Sequence, residues 1–403
     1  MIELGVQPKR KSVIIAEEEP AHYLILGDFG GRATEPLAID RDNFDSVLAK
    51  LQVTLAGAPF RELDDFHPDH LFRNLNLFRE FDPAHTEPTR RGGQPIPQAD
   101  IGELLRSSSL LEQIAEGGDP FERYVRDLAR AHAAPAEASD PQRDAALGER
   151  MRGLLHHPRF QAVEAAWRGV DFVIRSDSAD ESGTRIRIAH FPKSEAARDL
   201  LDAKSLGETR MNALLSARKW RAVIGLYGFG PDAADIEFLG RMALLSAHIG
   251  APFIAEGSVD MGDHWAELRA IPEAPYLGLA LPRFLLRLPY GARTSAIDSF
   301  PFEEMPAAPV HAHYLWGNPA LAFLTLLTAG GALNLEGLPL HTYQEDGEWR
   351  MTPCAEVWMT ETQVLSLIDL GMMPLVSFRD SDRVRLAGFR AINGDELALR
   401  LAQ

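Results

Sequence analysis

Ala222-Val223-Ile224-Gly225-Leu226-Tyr227-Gly228 is a run of apolar and glycine residues with the length of a single strand. Asp232 to His248 then carries helical periodicity, and Pro252 to Ala255 returns to strand-like residues. A run without polar alternation suits a strand covered on both faces. Strands interleaved with helices predict a mixed α/β layer architecture and argue against a bundle or a sandwich.

The alternation continues toward the N-terminus. Thr184 to Phe191 alternates as a strand, and Ser194 to Ala203 reads as a helix capped by Ser194. Phe160, Val163, Ala166, Trp167 and Val170 form an apolar stripe at helical spacing, with Pro158 ahead of it where a first-turn proline is tolerated. Farther out, His22 to Leu26 is β-prone and is broken by Gly27-Asp28-Phe29-Gly30-Gly31-Arg32, a strand-ending turn in which Gly30 or Gly31 takes positive φ. Phe44, Val47, Leu48 and Leu51 predict an amphipathic helix over Asp42 to Leu51, capped by Asp42 or Asn43. A strand at Gln52 to Leu55 and a helical pattern in Leu71, Leu75, Phe78 and Phe81 complete a small β/α unit.

Pro83 to Gln98 is rich in Pro and Gly without apolar period, as a linker is. Ile101 to Ala115 and Phe121 to Ala131 read as helical, and Ala133 to Asp144 as loose. The expected division is therefore 1–82, a partly helical connector at 83–150, and 151–403, which suits a length of 403 residues at roughly 150 per domain.

Hydrophobic residues at 45% and charged residues at 25% describe a folded globular chain. The net charge of −17 repels a phosphate backbone, which argues against nucleic acid as the main partner. One cysteine, Cys354, forbids an intrachain disulfide and reads as a small core residue in a reducing cytoplasm. Lys9-Arg10-Lys11, Ser12 to Ala16 and Glu17-Glu18-Glu19 contain no secretory h-region, and Leu321 to Leu333 is too short for a bilayer, so the expected localisation is cytoplasmic.

Motifs for chemistry are weak. The 27–32 turn lacks the ending of a P-loop and the glycine spacing of a dinucleotide fold. His311-Ala312-His313 on one strand would put two imidazoles on one face, with His341 and Glu356 as further metal ligands; this is the one metal-enzyme reading, set against a polar pair. No nucleophile elbow or His-Glu-x-x-His helix is present. The expectation is no enzyme, no cofactor and no metal. More informative are the arginines among apolar residues in Pro282 to Gly291. Arg283 and Arg287 need partners there, and Glu303 and Glu304 are the candidates, or else the arginines face a subunit interface.

His157 to Val170, reading His-Pro-Arg-Phe-Gln-Ala-Val-Glu-Ala-Ala-Trp-Arg-Gly-Val, resembles the signature of the large contractile-sheath subunit of type VI secretion systems, TssC, also called ImpC or VipB. Further likenesses follow in order at Leu277 to Gly291, Phe302-Glu303-Glu304, Tyr314 to Asn318, Gly337-Leu338-Pro339, Pro353 to Glu356 and Gly371 to Val376. Leu26 to Arg32, Ile39 to Phe44 and Leu63 to Pro68 are similar to the small subunit, TssB or VipA, so the two portions would be joined in one chain. The resemblance implies a body like a phage-tail sheath, with strands shared between protomers. It also implies helical self-association around an Hcp-like inner tube, on a baseplate, with a ClpV-like recycling ATPase whose site is not carried over to this chain. It implies no membrane insertion. Glu164, Arg168, Arg283, Arg287, Glu303 and Glu304 would be ion-pair or interface residues, and Gly27, Asp28, Gly31, Trp167, Pro289, Tyr290 and Trp316 structural ones. A non-polymerising adaptor or cap at the baseplate is the alternative.

Overall fold

A computed structural model describes residues 20–32, 35–81, 119–132, 140–176, 183–305 and 309–399. In chain order the strands are β1 (His22–Gly27), β2 (Leu37–Ile39), β3 (Thr54–Leu55), β4 (Ala58–Pro59), β5 (Arg185–His190), β6 (Ala222–Gly228), β7 (Phe253–Glu256) and β8 (Leu277–Leu281). They continue with β9 (Phe284–Leu285), β10 (Trp316–Gly317), β11 (Asn334–Leu335), β12 (His341–Glu345), β13 (Glu348–Thr352), β14 (Met372–Ser377) and β15 (Val384–Leu386). Nine of them form one sheet in the order β11-β15-β14-β8-β7-β6-β1-β5-β2. The run β5-β1-β6-β7-β8-β14 is parallel, and antiparallel partners close its edges.

The apolar run of 222–228 is β6, near the sheet centre, where both faces are covered. Val223 joins the core on one face and Ile224 the core on the other, and β1 divides likewise into Leu24 and Leu26 against Tyr23 and Ile25. One face carries helices Lys193–Leu201, Arg210–Ser216 and Ala233–Ile249; the other carries Phe44–Leu51, Pro158–Arg175 and Pro319–Thr328.

Four helices begin with the same chemistry. Each has Pro at its start and a preceding side chain that accepts the backbone N–H two residues on: His67 from Asp69, Asp119 from Phe121, His157 from Arg159 and Asn318 from Ala320. The ring presets φ and its missing N–H costs nothing there, while the cap satisfies one of the orphan donors. Pro319–Thr328 is buried along its whole length, which accounts for the apolar stretch at 321–333. No helix among the described residues is long and apolar enough to cross a membrane.

Several expected elements differ. The predicted Ser194 cap is not used: the helix starts at Lys193, and Pro192 occupies the cap position without a side-chain bond. The helix expected from Asp42 starts at Phe44, and Asn43 bonds back to Asp40 N–H instead of capping forward. The strand expected at Gln52–Leu55 shrinks to β3 in a two-residue hairpin with β4. The helical pattern of residues 71–81 breaks at Leu75 into helix Pro68–Asn74 and a 3-10 turn, Asn76–Phe81. Part of the segment read as loose, 140–144, belongs to helix Asp140–Leu155. The helix expected at 101–115 lies outside the described residues.

The first segment is woven into this sheet. β1 lies between β5 and β6, with His22 opposite Arg185 and Tyr23 opposite Ala222. Of the two glycines offered for the turn after β1, Gly30 has φ +68, and its N–H reaches Asp28 Oδ1 at 2.8 Å. Gly31 is needed for a different reason, because a Cβ there would stand 2.5 Å from Leu51 O.

Candidate functional site

Glu164 and Arg168 lie one turn apart on helix Pro158–Arg175, and the loop after β9 brings Arg287 against them. Arg168 Nε donates to Glu164 Oε1 at 2.7 Å, and Arg287 Nε donates to the same oxygen at 2.8 Å. Arg287 also reaches Glu304, with Nη1 2.7 Å from Oε2 and Nη2 3.2 Å from Oε1. Two guanidiniums thus meet two carboxylates that are 0% and 1% exposed.

Tyr290 completes the cluster. Its N–H donates to Glu304 Oε2 at 2.8 Å, its hydroxyl accepts from Arg168 Nη2 at 3.0 Å, and its ring lies 4.2 Å beneath the Arg287 guanidinium. Burial alone would raise the Glu304 carboxyl, but Arg287, the His156 ring and the Tyr290 N–H stabilise the anion and hold it down at about 2. Burial pushes Tyr290 up to about 12 against the opposing effect of the two arginines. Burial would lower Arg287, and the two glutamates outweigh it and raise the group well above its ordinary value. Such a cluster is a clamp between a helix and two loops: removing one member leaves an uncompensated buried charge.

The other proposed residues fall elsewhere. Arg283 pairs with neither Glu303 nor Glu304; it makes a bidentate pair with Glu356, Nε to Oε2 at 2.9 Å and Nη2 to Oε1 at 2.5 Å. Glu303 is exposed, and its Oε1 accepts the Ala292 N–H at 3.0 Å. Adjacent positions point apart, so only one of the two glutamates faces the arginines. Trp167 is buried and donates its indole N–H to Phe29 O at 3.0 Å. Trp316 donates to His311 O at 3.0 Å, and Pro289 is buried beside Tyr290.

The expected histidine pair is not on a strand. His311–His313 is a 3-10 turn, where His311 Nε2 faces Glu356 at 3.4 Å and His313 stacks on His156 at 3.7 Å between centroids. His341 Nδ1 lies 2.6 Å from the Tyr314 hydroxyl. These rings and Glu356 do not converge on one point. Among the described residues, the ligating side chains that approach one another are Glu62, Asp65 and His70, and Asp65 is engaged there with the N–H groups of Arg61 and Glu62. Cys354 is buried, and its Sγ lies 3.2 Å from Ser381 O.

Sequence reasoning missed two residues of the first segment that touch this region. The His67 ring packs edge-on to Tyr290 at 5.0 Å, and buried Asp69 accepts from the N–H groups of Asp298 and Ser299 at 3.1 and 2.8 Å. The signal was present as Asp64-Asp65-Phe66-His67-Pro68-Asp69, a polar run ahead of a helix, yet nothing local marks a partner more than two hundred residues away.

A parallel-centred sheet clamped by buried ion pairs gives the chain the mixed α/β body expected of a tail sheath. The chain matches the family model VipB, described as EvpB/VC_A0108, tail sheath N-terminal domain, over residues 141–263 and 260–393, and it belongs to that family. It is 28% identical over 298 residues to the type VI secretion system sheath protein TssC1 of Pseudomonas aeruginosa, an alignment covering 62% of this chain and 59% of that protein.

Proposed function

We propose that this chain is a structural protomer of a contractile sheath in a type VI secretion-like system, without catalytic activity. It assembles with itself and with a small sheath subunit or its equivalent around an Hcp-like inner tube, on a baseplate, and shortens to drive the tube outward. The observation that carries this reading is the sheath-family match across 141–393.

Residues 1–82 serve as the small-subunit-like portion, 83–150 as the connector and 151–403 as the large-subunit-like portion. Supporting this, residues 22–27 supply a central strand to a sheet whose other strands come mostly from 185–386. Arg168 and Arg287, held by the buried Glu164 and Glu304, act within the protomer. Arg283, with its side chain 39% exposed beside Glu356, is the arginine suited to a neighbour.

Negative-stain electron microscopy of the full-length chain, with and without its inner-tube protein, tests this beside sedimentation. Hollow tubes are the expected result. The chain spans 59% of the length of TssC1. The second reading is an adaptor or cap that does not polymerise. Discrete small particles under every condition would replace the sheath reading with that one.

A further inference from the structure

Five cations gather at the amino ends of the parallel strands. Arg185 opens β5 opposite His22 of β1, and Arg187 follows two residues on, on the same side of the strand. Arg218, Lys219 and Arg221 lead into β6, where the Arg221 N–H donates to His22 O at 2.8 Å and Arg218 Nη1 lies 3.3 Å from His22 Nε2. None of the five makes an ion pair among the described residues. Arg187 spends one nitrogen on Pro36 O at 3.0 Å, but its Nε, like that of Arg221, is buried without an acceptor. Burial, and then the nearby charge of Arg218, hold Arg187 below the usual guanidinium range. Arg185, Arg218 and Lys219 are exposed. On a chain of net charge −17, this is a concentrated positive surface whose cations have no ion-pair partner among the described residues.

The opposite end of the same strands is acidic. Asp232 follows β6, and Asp260 and Asp263 follow β7; all three are exposed. Gly262, at φ +72, lies so close to Pro231 that a Cβ would stand 2.7 Å from its carbonyl oxygen, which sets the two acidic loops side by side.

We propose that the amino-end surface of Arg185, Arg187, Arg218, Lys219 and Arg221 docks the acidic carboxyl-end face of a second copy of this chain, head to tail. The inference rests on the reading of the chain as a self-assembling sheath protomer. Complementary faces at opposite ends of one molecule make a heterologous contact, which propagates from copy to copy instead of closing as a two-fold dimer. The charges set register and association rate, and salt weakens them.

Sedimentation velocity of the full-length chain at low and high salt tests this, with circular dichroism to verify that each variant folds. Two variants each neutralise one end: Arg185→Gln with Arg218→Gln and Lys219→Gln, and Asp232→Asn with Asp260→Asn and Asp263→Asn. Each is expected to weaken self-association about tenfold, the sum of a few exposed charge pairs. An equimolar mixture of the two should form a two-chain particle that does not extend, since one intact basic end meets one intact acidic end.

Unchanged association of the basic-end variant, in conditions where the unaltered chain assembles, overturns the docking surface and leaves the sheath reading standing. An unaltered chain that stays monomeric at every salt and concentration overturns both. Failure of the mixture to pair removes the acidic face as the occupant. Glu17, Glu18 and Glu19 precede β1 in sequence, Asp177, Asp180 and Glu181 precede β5, and these are the competing sources of acid. Replacement of either set by the matching amides is expected to leave association in place, and a loss equal to that of the basic-end variant would make that set the occupant and overturn the proposal.

Discussion

Arg287 has two carboxylates to satisfy, and this decides how substitutions there behave. Arg287→Met leaves Glu164 and Glu304 facing each other in a buried site and should cost about 3–5 kcal/mol in urea unfolding. A charge swap of Arg287→Glu with Glu304→Arg should not restore stability, because Glu164, which accepts from Arg287 at 2.8 Å, would then confront a carboxylate. A full recovery in the double variant would show that Glu164 is not part of the clamp. The pH dependence follows from the same contacts. Glu304 is held down at about 2, so its contribution is complete above the ordinary carboxylate range and is lost as pH falls through that range toward 2. Urea midpoints between pH 6 and 3 should fall for the natural chain, with a smaller fall in Glu304→Gln from its lower starting point. Glu256 works in the opposite sense. Burial, opposed by Arg283 and reinforced by Glu356, pushes it up to about 7, so its penalty builds as pH rises from the ordinary carboxylate range and is complete above 7. Glu256→Gln, which keeps an acceptor for the Asn318 amide 3.3 Å away, should raise the melting temperature at pH 8 and change it little at pH 5. An equal effect at both values would remove the charge explanation.

Elements were legible where their cause is local. Helix Pro158–Arg175 follows from its proline and the stripe of Phe160, Val163, Ala166, Trp167 and Val170, all of which sit within a few turns of one another. The His311–His313 turn was not legible, because two identical residues separated by one say nothing about period. The break at Leu75 had no local marker either. Close approaches between elements are equally silent in sequence. Gly371 links helix Glu361–Asp369 to β14 at φ +86, and a Cβ there would stand 1.9 Å from Ile392 O. Gly371→Ala should destabilise the chain by about 1–3 kcal/mol from the strained φ alone, with the clash adding to it. Thermal unfolding measures this, and a neutral result would mean that the 392 strap moves freely.

At the scale of the whole molecule, the central place of β1 makes the first segment inseparable from the rest. A chain cut at a protease site engineered between positions 83 and 118 should run as one particle in size-exclusion chromatography, since β1 is hydrogen-bonded on both sides and Trp167 is locked to Phe29. Separation of the two pieces without denaturant would contradict that packing. The same topology aligns the amino ends of the strands, and with them the cations brought there by residues 185–187 and 218–221.

By itself the sequence determined the alternation of strands and helices, the first-turn proline of helix Pro158–Arg175, the family and the arginines that require partners. Each of these is written in residues close together along the chain or in motifs with their own order. Only the tertiary structure decided that β1 lies between β5 and β6, that Arg287 is shared by Glu164 and Glu304 while Arg283 goes to Glu356, and that the histidines do not meet. Those outcomes depend on packing across long separations, where the pairing of a charge is set by which side chains the fold buries together and not by which stand near it in sequence.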